Sequence, residues 1–287
     1  MTDAAQQDLK PTARAVENVS VTGDLRLHEF RSQVFGNTRM LRVWLPPEYD
    51  AVPNSDRHYP VLYLNDGQNL FDRATAFAGV EWEVDETAYR LIREKNIPPL
   101  IIVGIDNAQT DRMKEYLPYR SFQPPILRPR GKCYPEFLMH EVMPFVSERY
   151  RIAPGVQHTG LGGSSLGALI SLYTVIKHPG IFGRVLLESP SLYISQRRIL
   201  RASRKCRQWP GKFYIGIGTR EAGREEKDRQ VVDDVRELER ILRQAGLSDQ
   251  HLVVRVDEGA THNEREWARR FPEALTFLFG NLFSPSG

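Results

Sequence analysis

His158-Thr159-Gly160-Leu161-Gly162-Gly163-Ser164-Ser165-Leu166-Gly167-Ala168-Leu169-Ile170 is the stretch on which the reading of the chain turns. A strand-like approach meets a run of glycines, and an apolar segment over 166–177 then reads as a helix. Inside it, Gly163-x-Ser165-x-Gly167 has the form of an elbow, in which a serine sits on a strained strand-to-helix turn with its hydroxyl exposed. A turn packed that tightly leaves no room for a Cβ at the flanking positions, and glycine tolerates unusual backbone angles. The pattern also fits a plain glycine-rich turn in which Ser165 merely caps the helix. The surrounding chain must decide.

Upstream, alternating residues over 25–35 and 38–45 flank Gly36-Asn37, a hairpin signal, and Pro46-Pro47 closes the second run. Short apolar runs at 59–65, 100–105, 184–188, 212–217 and 251–256 read as strands buried on both faces. Helical segments fall between them at 82–95, 134–149, 166–177, the arginine-rich 196–207 and 231–245, and a last one spans 263–279. Pro144 should bend the second of these, and Gly246 stops the fifth. Strands alternating with helices predict an α/β fold: a mostly parallel central sheet, helices on both faces and an antiparallel N-terminal hairpin. One domain over 21–287 is expected, after a loose polar tail at 1–20. The segment 108–133, rich in Pro and Arg and without a period, is expected to cover an active site.

Composition narrows the function classes. The 287 residues are 41% hydrophobic with a mild formal net charge of +3, enough apolar material for a substantial core. No segment interleaves dense Lys/Arg with aromatics, so no nucleic-acid partner is expected. The cluster Arg197, Arg198, Arg201, Arg204, Lys205 and Arg207 reads first as a solvated helix face and second as a surface for an anionic substrate. Cys133 and Cys206 are far apart and lack histidines at metal spacing, which argues against a disulfide scaffold or a cysteine zinc site. The N-terminal residues lack the apolar core of a secretory signal, and no run approaches the length of a membrane span. A cytoplasmic location is expected.

In an open α/β sheet, ligands gather beyond the carboxyl ends of the strands. Ser165 follows one strand there, Glu221 lies four residues past the end of another, and His262 lies six past a third. That order, serine then acid then histidine, is the one α/β-hydrolases use. Ser165 is thus the expected nucleophile and His262 the base that takes its proton. Glu221 is the preferred carboxylate for the far imidazole nitrogen, with Glu188 and Asp257 as rivals at neighbouring strand ends. The oxyanion needs two backbone N–H groups. Leu166, after the nucleophile, supplies one, and Gln68, in the loop Asp66-Gly67-Gln68-Asn69, supplies the other. Asp66, Asn69, Tyr116 and Tyr193 are expected to contact substrate.

Several segments together resemble a known family. Leu64-Asn65-Asp66-Gly67-Gln68-Asn69-Leu70-Phe71-Asp72, Val103-Gly104-Ile105-Asp106-Asn107 and Glu115-Tyr116-x-Pro118 are similar to serine esterases related to enterochelin esterase and esterase D. So are Gly162-Gly163-Ser164-Ser165-Leu166-Gly167, Gly218-Thr219-x-Glu221 and His262-Asn263-Glu264-x-x-Trp267. The resemblance spans roughly residues 25 to 279. It implies the α/β-hydrolase fold, hydrolysis of a small-molecule carboxylic ester and no cofactor, with Ser165 as nucleophile and His262 as base. Relatives often carry Asp near the position of Glu221, and Asn65 stands where the family commonly has His. The family spans siderophore lactones, hydroxycinnamoyl esters, sugar acetates and acyl-glutathione thioesters, and its fold also serves acyltransferases. A binding protein on the same fold is the contrasting class, and the intact Ser165/His262 pair speaks against it.

Overall fold

The computed structural model describes residues 14–15, 20–122, 125–126 and 128–282. The strands are β1 (Arg14–Ala15), β2 (Asp24–Arg31), β3 (Thr38–Leu45), β4 (Val61–Asn65), β5 (Ile101–Ile105), β6 (Ser121–Phe122), β7 (Pro125–Ile126), β8 (Thr159–Ser164), β9 (Arg184–Glu188), β10 (Lys212–Arg220) and β11 (Leu252–Thr261). The helices are α1 (Val84–Arg93), α2 (Arg112–Tyr116), α3 (Tyr134–Phe137), α4 (Met143–Ser147), α5 (Ser165–Lys177), α6 (Ile194–Ser203), α7 (Glu225–Gln244) and α8 (Glu264–Phe279).

Apolar residues without alternation make strands that can only sit inside a sheet covered on both sides. Every residue of β4, β5, β8 and β9 is buried. Nine strands form one sheet in the order β1-β2-β3-β5-β4-β8-β9-β10-β11. From β5 to β11 all neighbours are parallel, while β1, β2 and β3 add an antiparallel edge. Successive side chains take opposite faces. Leu62, Leu64 and Leu186 pack with Trp82 of the segment leading into α1 and with Phe271 and Leu275 of α8. Val61, Tyr63 and Val185 pack on the other face with Leu169 and Leu172 of α5 and Leu238 of α7. This is the α/β-hydrolase architecture, with β8 between β4 and β9 in the sheet's interior.

The structure differs from the sequence reading at several points. The strand expected over 25–35 ends at Arg31, because Glu141 accepts from Ser32 Oγ (2.6 Å), Gln33 N (2.8 Å) and Val34 N (2.9 Å), so these donors never join the ladder. The hairpin connection is therefore residues 32–37, not a two-residue turn. In the helix expected over 134–149, Pro144 lacks an N–H and its ring crowds the preceding turn. The chain widens into a π turn at Leu138–Val142 between α3 and α4. The segment 108–133 is less irregular than expected, holding α2 and the small β6–β7 hairpin. The tail expected at 1–20 lies almost wholly outside the described residues, although Arg14 and Ala15 pair with Leu27 and Arg26 of β2.

The basic cluster after Tyr193 proves to be a seam between helices. Arg197 pairs with Asp234 at 2.7 Å, Arg204 pairs with Glu237, and Arg198 lies 4.7 Å from the Tyr119 ring centroid.

The strands that end the chain matter most for the site. β10 and β11 run past 217 and 256, and their register slips, with Gly218 opposite Asp257 but Arg220 opposite Thr261. The extra residues on β11 form a bulge, the device that re-aims a strand end. Once Arg220 and Thr261 are paired, Glu221 and His262 leave the sheet side by side.

Candidate active site

Ser165 opens α5 with φ of 54°, a left-handed conformation that costs a non-glycine residue on the order of 1–2 kcal/mol. The neighbouring glycines supply room. A Cβ on Gly167 would stand 3.0 Å from both Asn65 Cβ and an Asp66 carboxylate oxygen. The strain thus falls on the serine itself, where a well-packed turn can hold it. The helix N-cap is Ser164, not Ser165. Ser165 Oγ lies 3.2 Å from Ser191 Oγ, and among the described residues no hydrogen bond joins it to His262.

His262 stands beyond β11, its side chain 34% exposed, with Nδ1 2.5 Å from Glu221 Oε2. The Glu221 side chain is nearly sealed from solvent, and its other oxygen accepts from Gly218 N (2.7 Å) and Ser189 Oγ (2.8 Å). The two rival carboxylates point elsewhere. Glu188 accepts from Arg270 Nε at 2.9 Å, and Asp257 takes Arg269 at 2.6 Å and Arg270 at 3.4 Å. Burial pushes Glu188 up to about 7 against the pull of Arg270. Arg269 and Arg270 hold Asp257 below the usual carboxylate range despite its burial. The Trp267 ring meets the imidazole edge to face, centroids 5.1 Å apart.

Asp66, in the left-handed region at φ 60°, starts the turn Gly67–Asn69 after β4. The turn is pressed onto β5, since a Cβ on Gly67 would lie 2.5 Å from the Gly104 carbonyl carbon. Its first internal bond is from Asn69 N to the Asp66 carbonyl (2.9 Å), which leaves the Gln68 amide outside the turn's own bonding. Gln68 Oε1 accepts from Asn107 N at 3.2 Å. The Leu166 amide is likewise in the first turn of α5, where backbone N–H groups have no partner within the helix.

The four expected substrate contacts separate. Tyr193 is 49% exposed and borders a cleft of about 490 Å³ with Arg120, Phe122 and Arg198. Tyr116 is fully buried, its hydroxyl 3.4 Å from the Asp66 amide, so it supports the turn from beneath and cannot reach a substrate. Asp66 is 3% exposed and its carboxylate is taken by Arg112 (2.7 and 2.8 Å) and Asn107 Nδ2 (2.6 Å). Asn69 bridges Glu264 (3.1 Å) and the Phe77 amide (3.0 Å). Ser189 and Ser191, which the sequence reading passed over, both touch the group. Glu188-Ser189-Pro190-Ser191 carries no periodic or spacing signal that marks them. Among the described residues no cluster of His, Cys, Asp or Glu is arranged to hold a metal ion.

A strained serine at the head of α5 and a partly exposed imidazole paired with the Glu221 carboxylate stand at the carboxyl end of the parallel sheet, an arrangement that suits a hydrolase acting on ester bonds. The chain belongs to the Esterase family, described as "Putative esterase", whose model matches residues 32–278. It is 25% identical over 254 residues to the uncharacterized protein YbbA of Bacillus subtilis, covering 85% of this chain and 94% of that one. The enterobactin esterase FES of Shigella flexneri superposes with a TM-score of 0.67 at 19% identity, over 90% of this chain and 60% of that one. The siderophore hydrolase EstB of Aspergillus nidulans gives 0.70 at 18% identity, over 97% and 100%. Among the described residues no helix is long and apolar enough to cross a membrane.

Proposed function

We propose that the protein is a serine carboxylesterase working through an acyl-enzyme on Ser165. The observation that carries this is the contact between His262 Nδ1 and Glu221 Oε2 at 2.5 Å, at the same rim of the sheet as the strained Ser165. Glu221 fixes the tautomer with the proton on Nδ1 and leaves the other ring nitrogen to take the Ser165 proton. The Ser165 hydroxyl turns from Ser191 toward His262 and attacks the ester carbonyl. The amides of Gln68 and Leu166 receive the oxyanion. His262 then protonates the departing alcohol, and a water deprotonated by the same imidazole releases the acid.

The cleft between Tyr193, Phe122, Arg120 and Arg198 is aromatic and cationic. It suits an aromatic or anionic acyl group, such as a hydroxycinnamoyl or siderophore-type ester. The names of the structural relatives, an enterobactin esterase and a siderophore hydrolase, favour the same class. Intact-mass analysis after reaction with a fluorophosphonate tests the nucleophile, and a panel of aliphatic, aryl and catecholate esters tests the class. The expected result is one adduct on Ser165, lost with turnover in Ser165→Ala, and the highest kcat/KM on aryl or catecholate esters. Turnover that survives Ser165→Ala ends the proposal.

A further inference from the structure

Glu221 reaches its position from a longer side chain than Asp, and the extra rotatable bond must be held still for the carboxylate to meet His262. Ser189 is placed to do this. It follows β9 with φ of 44°, a left-handed conformation unusual for serine, and its amide donates to the Gly216 carbonyl at 2.8 Å. Strain of this kind persists only where the surroundings enforce it, and it concentrates at functional sites. Here it turns Oγ toward Glu221 Oε1, at 2.8 Å, with the residue 2% exposed.

The direction of that bond is fixed from behind. Trp267 Nε1 lies 2.8 Å from the same Oγ, in the buried interior. An indole N–H can only donate, so Ser189 accepts from it and has its single proton left for Glu221. The chain Trp267 to Ser189 to Glu221 to His262 then runs one way without ambiguity. We infer that Ser189, oriented by the Trp267 N–H, is a positioning residue that holds Glu221 against His262. The inference rests on the Ser165–His262–Glu221 reading above.

The test measures kcat and KM on p-nitrophenyl acetate, and stability by denaturation, for five variants. Ser189→Ala removes the proton donor, and a hydrogen bond to a charged group corresponds to a loss of roughly 10–100-fold in kcat, with KM within about twofold. Ser189→Gly also removes it while relieving the left-handed backbone, so it should be at least as stable as Ser189→Ala yet equally slow. Trp267→Phe keeps a ring beside His262 and loses only the N–H, and should lower kcat less than Ser189→Ala does. In the double variant Ser189→Ala/Trp267→Phe the second change should add nothing, since the indole acts through the serine. A kcat within about twofold of wild type in both Ser189 variants, or full additivity in the double variant, overturns the inference. Glu221→Gln separates the two levels: a collapse there with unaffected Ser189 variants sinks only the positioning role, whereas an active Glu221→Gln sinks the underlying reading.

Discussion

The side-chain amide of Asn65 donates to the carbonyl oxygen of Gly167 at 3.1 Å, joining the end of β4 to the first turn of α5. The same nitrogen lies 2.9 Å from Ser171 Oγ and 3.2 Å from the Gly162 carbonyl, and Asn65 Oδ1 accepts from the Tyr134 hydroxyl. One buried amide thus connects the turn carrying Gln68 to the turn carrying Ser165. Asn65→Ala would strand the buried Tyr134 phenol, at about 1–3 kcal/mol, and remove a donor from the Gly167 carbonyl, which keeps Ser171 Oγ. The expected result is a stability loss of about 2–4 kcal/mol in urea denaturation, with kcat lowered at unchanged substrate binding. A variant as stable as wild type would show that Asn65 is not the link between the two turns.

The strain at Ser165 separates two effects of replacing it. Ser165→Ala keeps a Cβ at φ near 54°, whereas Ser165→Gly does not. Both should lose turnover by several powers of ten, as should His262→Ala, because the residues act as a unit. The glycine variant should be the more stable of the Ser165 pair by about 1 kcal/mol, since glycine enters the left-handed region without a steric cost. Differential scanning calorimetry on the two proteins checks this. Equal melting temperatures would mean that the elbow stores no strain at its serine.

Glu221→Gln should lower kcat by about three to four powers of ten, because an amide cannot stabilise the imidazolium and favours the wrong tautomer. Asp257→Asn should change kcat little, since its partners are Arg255, Arg269 and Arg270 and not His262. A reversed order of these two effects in steady-state kinetics would reassign the acid.

Why the sequence pointed to Ser165, Glu221 and His262 as candidates, but not to Ser189 or Asn65, has a physical answer. The first three each follow an apolar strand, and strand ends are visible as breaks in an apolar run. The chain order then gave them roles. What brought Glu221 and His262 together is the slip between Gly218 and Arg220 on β10, a matter of pairing between distant segments. Ser189 depends on a backbone angle and on an indole 78 residues away. Tyr116 shows the opposite failure: an aromatic in an aperiodic stretch looked like a surface contact and is a core residue. The hairpin length was hidden for the same reason as Ser189, because Glu141, which ends β2, lies more than 100 residues on.

Away from the site, Asp85 is fully buried, accepts from the Thr22 amide at 2.6 Å, and has Glu86 beside it. Burial and Glu86 push its carboxyl up to about 9. A carboxyl with a raised native pKa binds its proton more tightly folded than unfolded. Its contribution to stability is therefore fully present below the unfolded value near 4 and declines as pH rises toward about 9. Asp85→Asn keeps an acceptor for Thr22 and removes the titration. The variant should gain on wild type between pH 5 and 8 when unfolding free energies are compared at both. A constant difference across that range would place the titration elsewhere.

The turn that carries Gln68 is held by one ion pair. Asp66 is buried with φ of 60°, and the cation it faces is Arg112, bonded through Nε and Nη2 at 2.7 and 2.8 Å. Without Arg112 the buried carboxylate keeps only the neutral Asn107 Nδ2 donor against the cost of its desolvation. Losses of about 3–5 kcal/mol are typical for fully buried pairs, and the Arg112 side chain is 26% exposed, so about 2–3 kcal/mol is the better expectation here. Arg112→Ala should therefore destabilise the protein and loosen the turn, lowering kcat because the Gln68 amide no longer waits where the oxyanion forms. Asp66→Asn in the same chain removes the orphaned charge and still offers an acceptor to Asn107 Nδ2. Stability should then recover in large part while kcat stays low, since an asparagine without Arg112 does not restore the bidentate hold on the turn. Should kcat recover together with stability, the ion pair would be a matter of charge balance alone. The position of the Gln68 amide would then be set by the packing of Gly67 on Gly104.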